Sequence, residues 1–322
     1  MPRPNTTSAI IRPDLGSVAY EYLMDAPNRG FIGTSILPVF ETVLQSSQYP
    51  IIPLEAILKT QDVTRAPRGN YPRDDYEFEM GNYACKDRGY EEPLDEIERK
   101  MYANLFDAEE VAVQRAIDKV LRAQEVRIAG KVFNTSNITG TSGVSTEWDT
   151  AATATPHADI VAGKKAMRAA SGLLPDTIAM SWTVFMNLLL TKEIKDALRY
   201  TNPIEMGGFE AQKSAVAQYF GVRQLLVGGA IKDSTGKGKA TTIADVWDDE
   251  YVLLAKVAVN AKDLREPCLG RTFLWIEDSP EELVVESYRE DAIRSDIYRV
   301  RHNVDEAFVF SAAGYLLSNI TA

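Results

Sequence analysis

Between Asp107 and about Phe133 the chain places Ala112, Ala116, Val120, Leu121 and Ile128 at spacings built from three and four residues, the period of one face of an α-helix. At 1.5 Å per residue this segment predicts a helix about 40 Å long. Ordinary globular helices run three to four turns, so whatever this chain folds into is built along a spine. The polarity agrees. Asp107 with Glu110 three residues on has the form of a capping box. Glu109 and Glu110 stand at the start and Arg122, Arg127 and Lys131 toward the end, the arrangement the helix dipole favours. The same spacing runs upstream, where Pro93 opens the series Leu94, Ile97, Met101 and Leu105, predicting a helix before a kink or restart near residue 107.

On either side of the spine the pattern differs. Residues 1 to about 58 carry scattered Pro and Gly with short apolar pieces, and read as an extended arm with one short helix near Val39 to Gln45. Such an arm is ordered only where it lies against the body or a neighbouring chain. Residues 134 to 154 are rich in Thr, Ser and Gly with Trp148 as their large anchor, and read as a loop or irregular hairpin. Thr155-Pro156 then gives an N-cap and a Pro at the first helical position, and Gly172 and Pro175 end that helix. Thr177 to Met180 reads as a short buried strand, and Ser181 as the cap of a helix carrying Val184, Phe185, Leu188 and Leu189. From Tyr251 onward the runs Tyr251–Leu254, Thr272–Ile276, Leu283–Val285, Ile297–Val300 and Ala307–Phe310 are strand-like. Helices in the middle and strands later predict an α+β fold.

Thr64 to Tyr83 is the segment that least resembles part of a core. It contains no Leu, Ile or Val. Arg65, Arg68 and Arg73 are punctuated by Pro67, Gly69 and Pro72, and then Asp75 to Met80 alternates, with Tyr76, Phe78 and Met80 on one face and acids on the other. Pro and Gly argue against a central strand, and the apolar content is too small for a self-sufficient unit. The segment is expected to be an excursion ordered by something outside itself.

A chain of 322 residues with 45% hydrophobic and 25% charged residues has the composition of a globular protein with a sizeable core. Its net charge of −11 opposes non-specific attraction to nucleic-acid phosphates. The start Met-Pro-Arg-Pro-Asn-Thr-Thr has no apolar h-region and no run approaches 18 apolar residues, so neither signal peptide nor membrane span is expected. Cys85 and Cys268 form no Cys-x-x-Cys pair and are expected as reduced thiols, without zinc or a disulfide framework.

The search for chemistry returns little. His157 and His302 are expected as surface or cap residues. Gly228-Gly229 with Gly236-Lys237-Gly238-Lys239 lacks the phosphate-loop spacing and reads as a lysine-tipped hairpin. Ser234-Thr235-Gly236-Lys237 matches Ser-x-x-Lys without that class's companion motifs. The acid pairs Asp74-Asp75, Glu91-Glu92 and Asp248-Asp249 read as solvated turns. No catalytic residue, cofactor or metal is expected.

An arm, a charged β excursion, a spine helix and a mixed body follow one another in an order that resembles the major capsid protein of tailed double-stranded-DNA bacteriophages, with the Hong Kong 97-like fold. Trp148, Asp159-Ile160, the turn and strand Gly172 to Ser181, Leu188 to Ala197, Gly221-Val222 before Leu225 to Gly228, Val246-Trp247 before Tyr251 to Leu254, and the ending Ser311 to Leu316 carry the resemblance. It implies an N-arm over 1–58, an E-loop over 59–92, a P-domain over 93–158 and 272–302, and an A-domain over 159–271 and 303–322. The E-loop of that family reaches over an adjacent subunit, which makes Arg65, Arg68, Tyr71, Arg73, Asp74, Asp75, Tyr76, Phe78 and Met80 the expected intersubunit contacts.

The implied partners are further copies of the chain in hexamers and pentamers, portal and decoration proteins, and an enclosed double-stranded DNA bound without sequence specificity. The implied location is the virion, assembled in the host cytoplasm, with no membrane. Some members of that family begin with a long, cleaved N-terminal scaffolding extension, whereas this sequence starts directly with its arm, so a separate scaffolding protein or none is expected. Residues 64 to 83 hold no lysine, so the covalent crosslink of some members is not expected. An encapsulin nanocompartment shell and, from another class, a compact hydrolase built on an acid pair are the rival readings.

Overall fold

The computed structural model describes residues 9–51, 58–60, 62–73, 79–198, 208–236 and 238–322. The spine helix spans Ala108–Val132, 25 residues, and Asp107 caps it by accepting from the N–H of Glu109 at 2.9 Å. Its buried stripe includes Val113, Ala116, Ile117, Val120, Leu121, Ile128 and Val132. Burying each large aliphatic side chain of this kind contributes about 1.5–3 kcal/mol. One stretch of the stripe packs on Leu15, Ala19 and Tyr22 of an arm helix, Pro13–Asp25, and on Tyr298 and Val300. The other end meets Ile32, Ile36, Leu37 and Trp247. The spine therefore runs past two cores and joins them.

One sheet lies along the spine. Its path is β1 (Ile10–Ile11), β13 (Val284–Glu290), β14 (Ser295–Phe308), β12 (Gly270–Trp275) and β2 (Val39–Thr42), and β5 (Lys86–Asp95) pairs with the other edge of β14. A second sheet has the order β6 (Gly140–Gly143), β15 (Gly314–Ser318), β11 (Val252–Ala255), β7 (Thr177–Ser181) and β8 (Gln224–Gly228). Every residue of β7 and β11 is buried. The helices Pro156–Ser171, Trp182–Leu190 and Phe209–Phe220 accompany this second sheet, and their apolar residues Ile160, Val184, Phe185, Leu188 and Val216 share one core with its strands and with Trp148. The β9 (Ile231–Asp233) and β10 (Ile243–Asp245) strands form the expected lysine-bearing hairpin. The fold is α+β.

Several expectations need correction. Val39 to Gln45 is not helical: Val39–Thr42 is β2, held parallel to β12. The arm's helix lies earlier, over Pro13–Asp25. Pro93 and Leu94 belong to β5, because ten consecutive residues there pair with β14, and the helix starts only at Glu96. That helix, Glu96–Tyr102, turns Ile97 and Met101 outward, 62% and 65% exposed, so the apolar series does not line a core. The strand expected at Ile297–Val300 and the start of the one expected at Ala307–Phe310 are the single strand β14, which passes through position 302 and ends at Phe308. Thr155 makes no side-chain cap, whereas Ser181 accepts from Val184 N at 3.2 Å. The helix Pro156–Ser171 ends as expected at Gly172, whose φ of 72° is left-handed.

Where the arm meets the spine, Glu125 is only 3% exposed. Its carboxylate accepts from the backbone N–H of Ile32 at 2.7 Å and of Gly33 at 2.9 Å, and from the Trp247 indole at 2.7 Å. One side chain thus ties the arm, the spine and the segment before β11. Burial pushes its pKa up to about 7, against these hydrogen bonds, which act the other way.

The extended loop as a candidate intersubunit surface

The loop's base is built from β3 (Ser46–Ile51) and β4 (Glu79–Ala84), antiparallel with Tyr49 opposite Gly81. A Cβ at Gly81 would lie 2.4 Å from the Tyr49 ring, so glycine is required there by close approach. The Tyr83 ring stacks on Phe273 at 4.3 Å between centroids, and Tyr49 at 5.3 Å. Tyr49 donates its hydroxyl to Phe308 O at 2.8 Å, and the Tyr83 hydroxyl lies 2.6 Å from Thr42 Oγ1. Two backbone N–H groups add to this: Ala84 N donates to the Asp305 carboxylate Oδ2 at 3.0 Å and Cys85 N to Gln45 O at 2.9 Å. Both cysteines are free and buried, and burial pushes the Cys85 thiol up to about 11, which makes it a packing residue. The sequence reading singled out none of these anchors, although Tyr83 closes the excursion and Tyr49 lies on the strand that precedes it.

Residues 62–73 contrast with the base. They form no helix or strand and each is exposed. A turn closed by Gly69 N donating to Ala66 O at 2.9 Å carries Arg68 at a φ of 65°, left-handed for a residue with a Cβ. Arg65 lies over the Tyr71 ring at 5.1 Å, and Tyr71 remains 67% exposed. Among the described residues Arg65, Arg68 and Arg73 have no ion pair. Met80 lies on β4 opposite Pro50 and is also exposed. Asp74, Asp75, Tyr76 and Phe78, with most of the alternating stretch, lie outside the described residues. The structure thus gathers Arg65 with Tyr71, and among the described residues Arg68 and Arg73 have no ion pair and Met80 stays exposed.

The residues with potential chemistry are placed in structural roles. His302 is not a surface residue: it is 1% exposed on β14, and burial, with Arg127 and Arg88 nearby, drives its pKa down to about 3. His157 is half-buried against Tyr219. Glu91 and Glu92 sit in β5 rather than in a turn, and Glu92 meets Arg115 at 3.0 Å. Asp249 accepts from Ser181 Oγ at 2.6 Å. Among the described residues no three His, Cys, Asp or Glu side chains are grouped to hold a metal, and no helix is long and apolar enough to cross a membrane.

A loop cantilevered from an anchored base, an arm helix, a spine helix carrying one sheet, and a second sheet with its own helices make up the Hong Kong 97-like capsid fold. No family model matches the chain. It is 26% identical, over 97% of each chain, to the protein named major capsid protein of Burkholderia phage BcepMu. Among solved structures it resembles a phage-related protein of Bordetella bronchiseptica RB50, with a TM-score of 0.71 and 20% identity over 97% of this chain and 98% of that one. It also resembles the capsid of the cyanophage P-SCSP1u, with a TM-score of 0.53 and 12% identity over 88% and 86% of the two chains.

Proposed function

We propose that this chain is a major capsid protein whose activity is self-assembly into the icosahedral head of a tailed phage, around double-stranded DNA. The single observation that carries this reading is the end-to-end similarity to a named major capsid protein. The loop supports it independently, since a hairpin so firmly anchored at its base and so bare at its tip needs an external surface to order it. Exposed Ile97, Met101, Leu105 and Phe106 at the foot of the spine also fit a surface that other copies cover.

In this reading residues 1–58 serve as N-arm, 59–92 as E-loop, 93–158 with 272–302 as P-domain, and the remainder as A-domain. Hexamers and pentamers of the chain close the shell, with portal, decoration and scaffolding proteins as accessory partners, in a virion assembled in the host cytoplasm. The protein performs no catalysis. A net charge of −11 suits a container that must not grip its DNA. The Arg65, Arg68, Tyr71, Arg73 and Met80 side chains, with Asp74, Asp75, Tyr76 and Phe78, meet a neighbouring copy.

Concentrated purified protein is expected to form closed particles, seen by sedimentation and electron microscopy. Particles enclosing DNA when recovered from infected or expressing cells support the phage reading. Particles that instead enclose a protein cargo indicate an encapsulin, and a stable monomer under varied salt excludes both.

A further inference from the structure

On the face of β5 and β14 turned away from the spine lies a cavity of about 560 Å³ lined by Asp87, Gly89, Glu91, Asp278, Arg299 and Arg301. Cross-strand pairing builds it: Asp87 opposes Asn303, Gly89 opposes Arg301 and Glu91 opposes Arg299. Gly89 keeps the centre open, since a Cβ there would lie 2.8 Å from Val300 O and 2.9 Å from Arg301 Cβ.

Both arginines of the cavity are already committed. Arg299 Nε donates to Glu286 at 2.8 Å, and Arg301 donates to Glu286 at 2.9 Å and to Asp278 at 2.7 Å. Burial alone would raise the Glu286 carboxyl, but hydrogen bonds from Arg301 and Arg299 outweigh it and hold it low. What the cavity has left to offer is acceptors. Among the described residues the Asp87 carboxylate has no hydrogen bond or ion pair and only a longer-range attraction to Arg301, and Glu91 meets Arg299 at 3.8 Å and accepts from the Tyr288 hydroxyl. Asn303, 2% exposed on the same face, donates Nδ2 to Asp278 Oδ2 at 3.2 Å and leaves its Oδ1 without any partner. A buried acceptor without a donor is costly, and Asp87, Glu91, Asp278 and Glu286 outnumber Arg299 and Arg301 four to two, a surplus of negative charge that suits a cation. An arginine fits, because a guanidinium carries five donors and no acceptor in a planar fork.

We propose that this cavity is the docking site for the loop arginines of a second copy of the chain, with Arg68 or Arg73 entering between Asp87 and Glu91. The complementarity is on the chain itself: Arg65, Arg68 and Arg73 stand on an exposed tip without ion pairs among the described residues, and the cavity carries more carboxylates than arginines. The inference rests on the capsid reading and specifies where one subunit grips the next.

The test uses two paired variants of the full chain, Arg68→Glu with Arg73→Glu, and Asp87→Arg with Glu91→Arg. Each pair alone is expected to assemble at least about tenfold less shell than wild type by sedimentation, with the subunit melting temperature retained. Mixed in equal amounts, the two are expected to recover assembly, because each loop then meets a groove of opposite charge on another copy. The milder Asp87→Asn with Glu91→Gln pair, which adds no positive charge near Arg299 and Arg301, is expected to weaken assembly alone and to gain nothing from mixing. Variants that assemble normally, or a mixture that stays unassembled, overturn the docking site. Wild type that forms no shell overturns instead the capsid reading beneath it, so the two failures are distinct.

Discussion

The two ends of the loop are made of similar residues held in opposite ways. Tyr49 and Tyr83 at the base stack on Phe273 and hydrogen bond to the body, whereas Tyr71 at the tip stays 67% exposed beside Arg65. An aromatic residue buried at one end and presented at the other indicates a division of labour. The base belongs to the folding of the chain, and in the proposed capsid role the tip is the part left for contacts with a neighbouring copy.

That division is sharpened first at the base. Tyr83→Ala removes a ring that is 7% exposed and stacked on Phe273, and is expected to lower subunit stability by about 3–5 kcal/mol in urea denaturation. An effect below about 1 kcal/mol would erase the contrast with the tip.

Next in size is a titration remote from the tip. Glu125 has its pKa raised from 4.5 to about 7 in the folded state, so folding binds the proton more tightly than the unfolded chain does. The stability this gives is fully present below about pH 4.5 and is lost as pH rises through about 7, a fall of about 3 kcal/mol. Denaturation at pH 5 and pH 8 checks it. Glu125→Gln, which cannot titrate, is expected to flatten the difference, while Arg68→Glu with Arg73→Glu leaves it intact.

Gly81→Ala comes third. Its new Cβ meets the Tyr49 ring at 2.4 Å, and the forced shift is expected to cost about 1–3 kcal/mol in the same assay. The smallest expected effect on the subunit is at the tip itself. Arg68→Glu with Arg73→Glu is expected to change subunit stability by less than about 0.5 kcal/mol while reducing shell yield strongly.

What the sequence disclosed follows from how local each signal is. The spine was legible because its cap, charge polarity and apolar period all lie within 26 residues of one another and agree. The arm helix over Pro13–Asp25 was missed although Pro13 at its first position and the Leu15, Ala19, Tyr22 spacing carried the signal. Leu94 was misplaced because pairing with β14, some 200 residues away, overrides the local helical period. His302 was assigned to the surface because nothing local says that its strand is covered by the spine on one side. At the candidate surface, the exposed arginines of the tip were readable from composition. The receiving cavity was not, since it exists only once residues 87–91, 278 and 299–303 are brought side by side.

The central claim is tested most directly by sedimentation velocity of the wild-type protein beside the Arg68→Glu, Arg73→Glu pair at high concentration. The account predicts fast-sedimenting closed shells for wild type and a folded, slowly sedimenting population for the variant. A wild type that stays monomeric, or a variant that assembles as well as wild type, would contradict it.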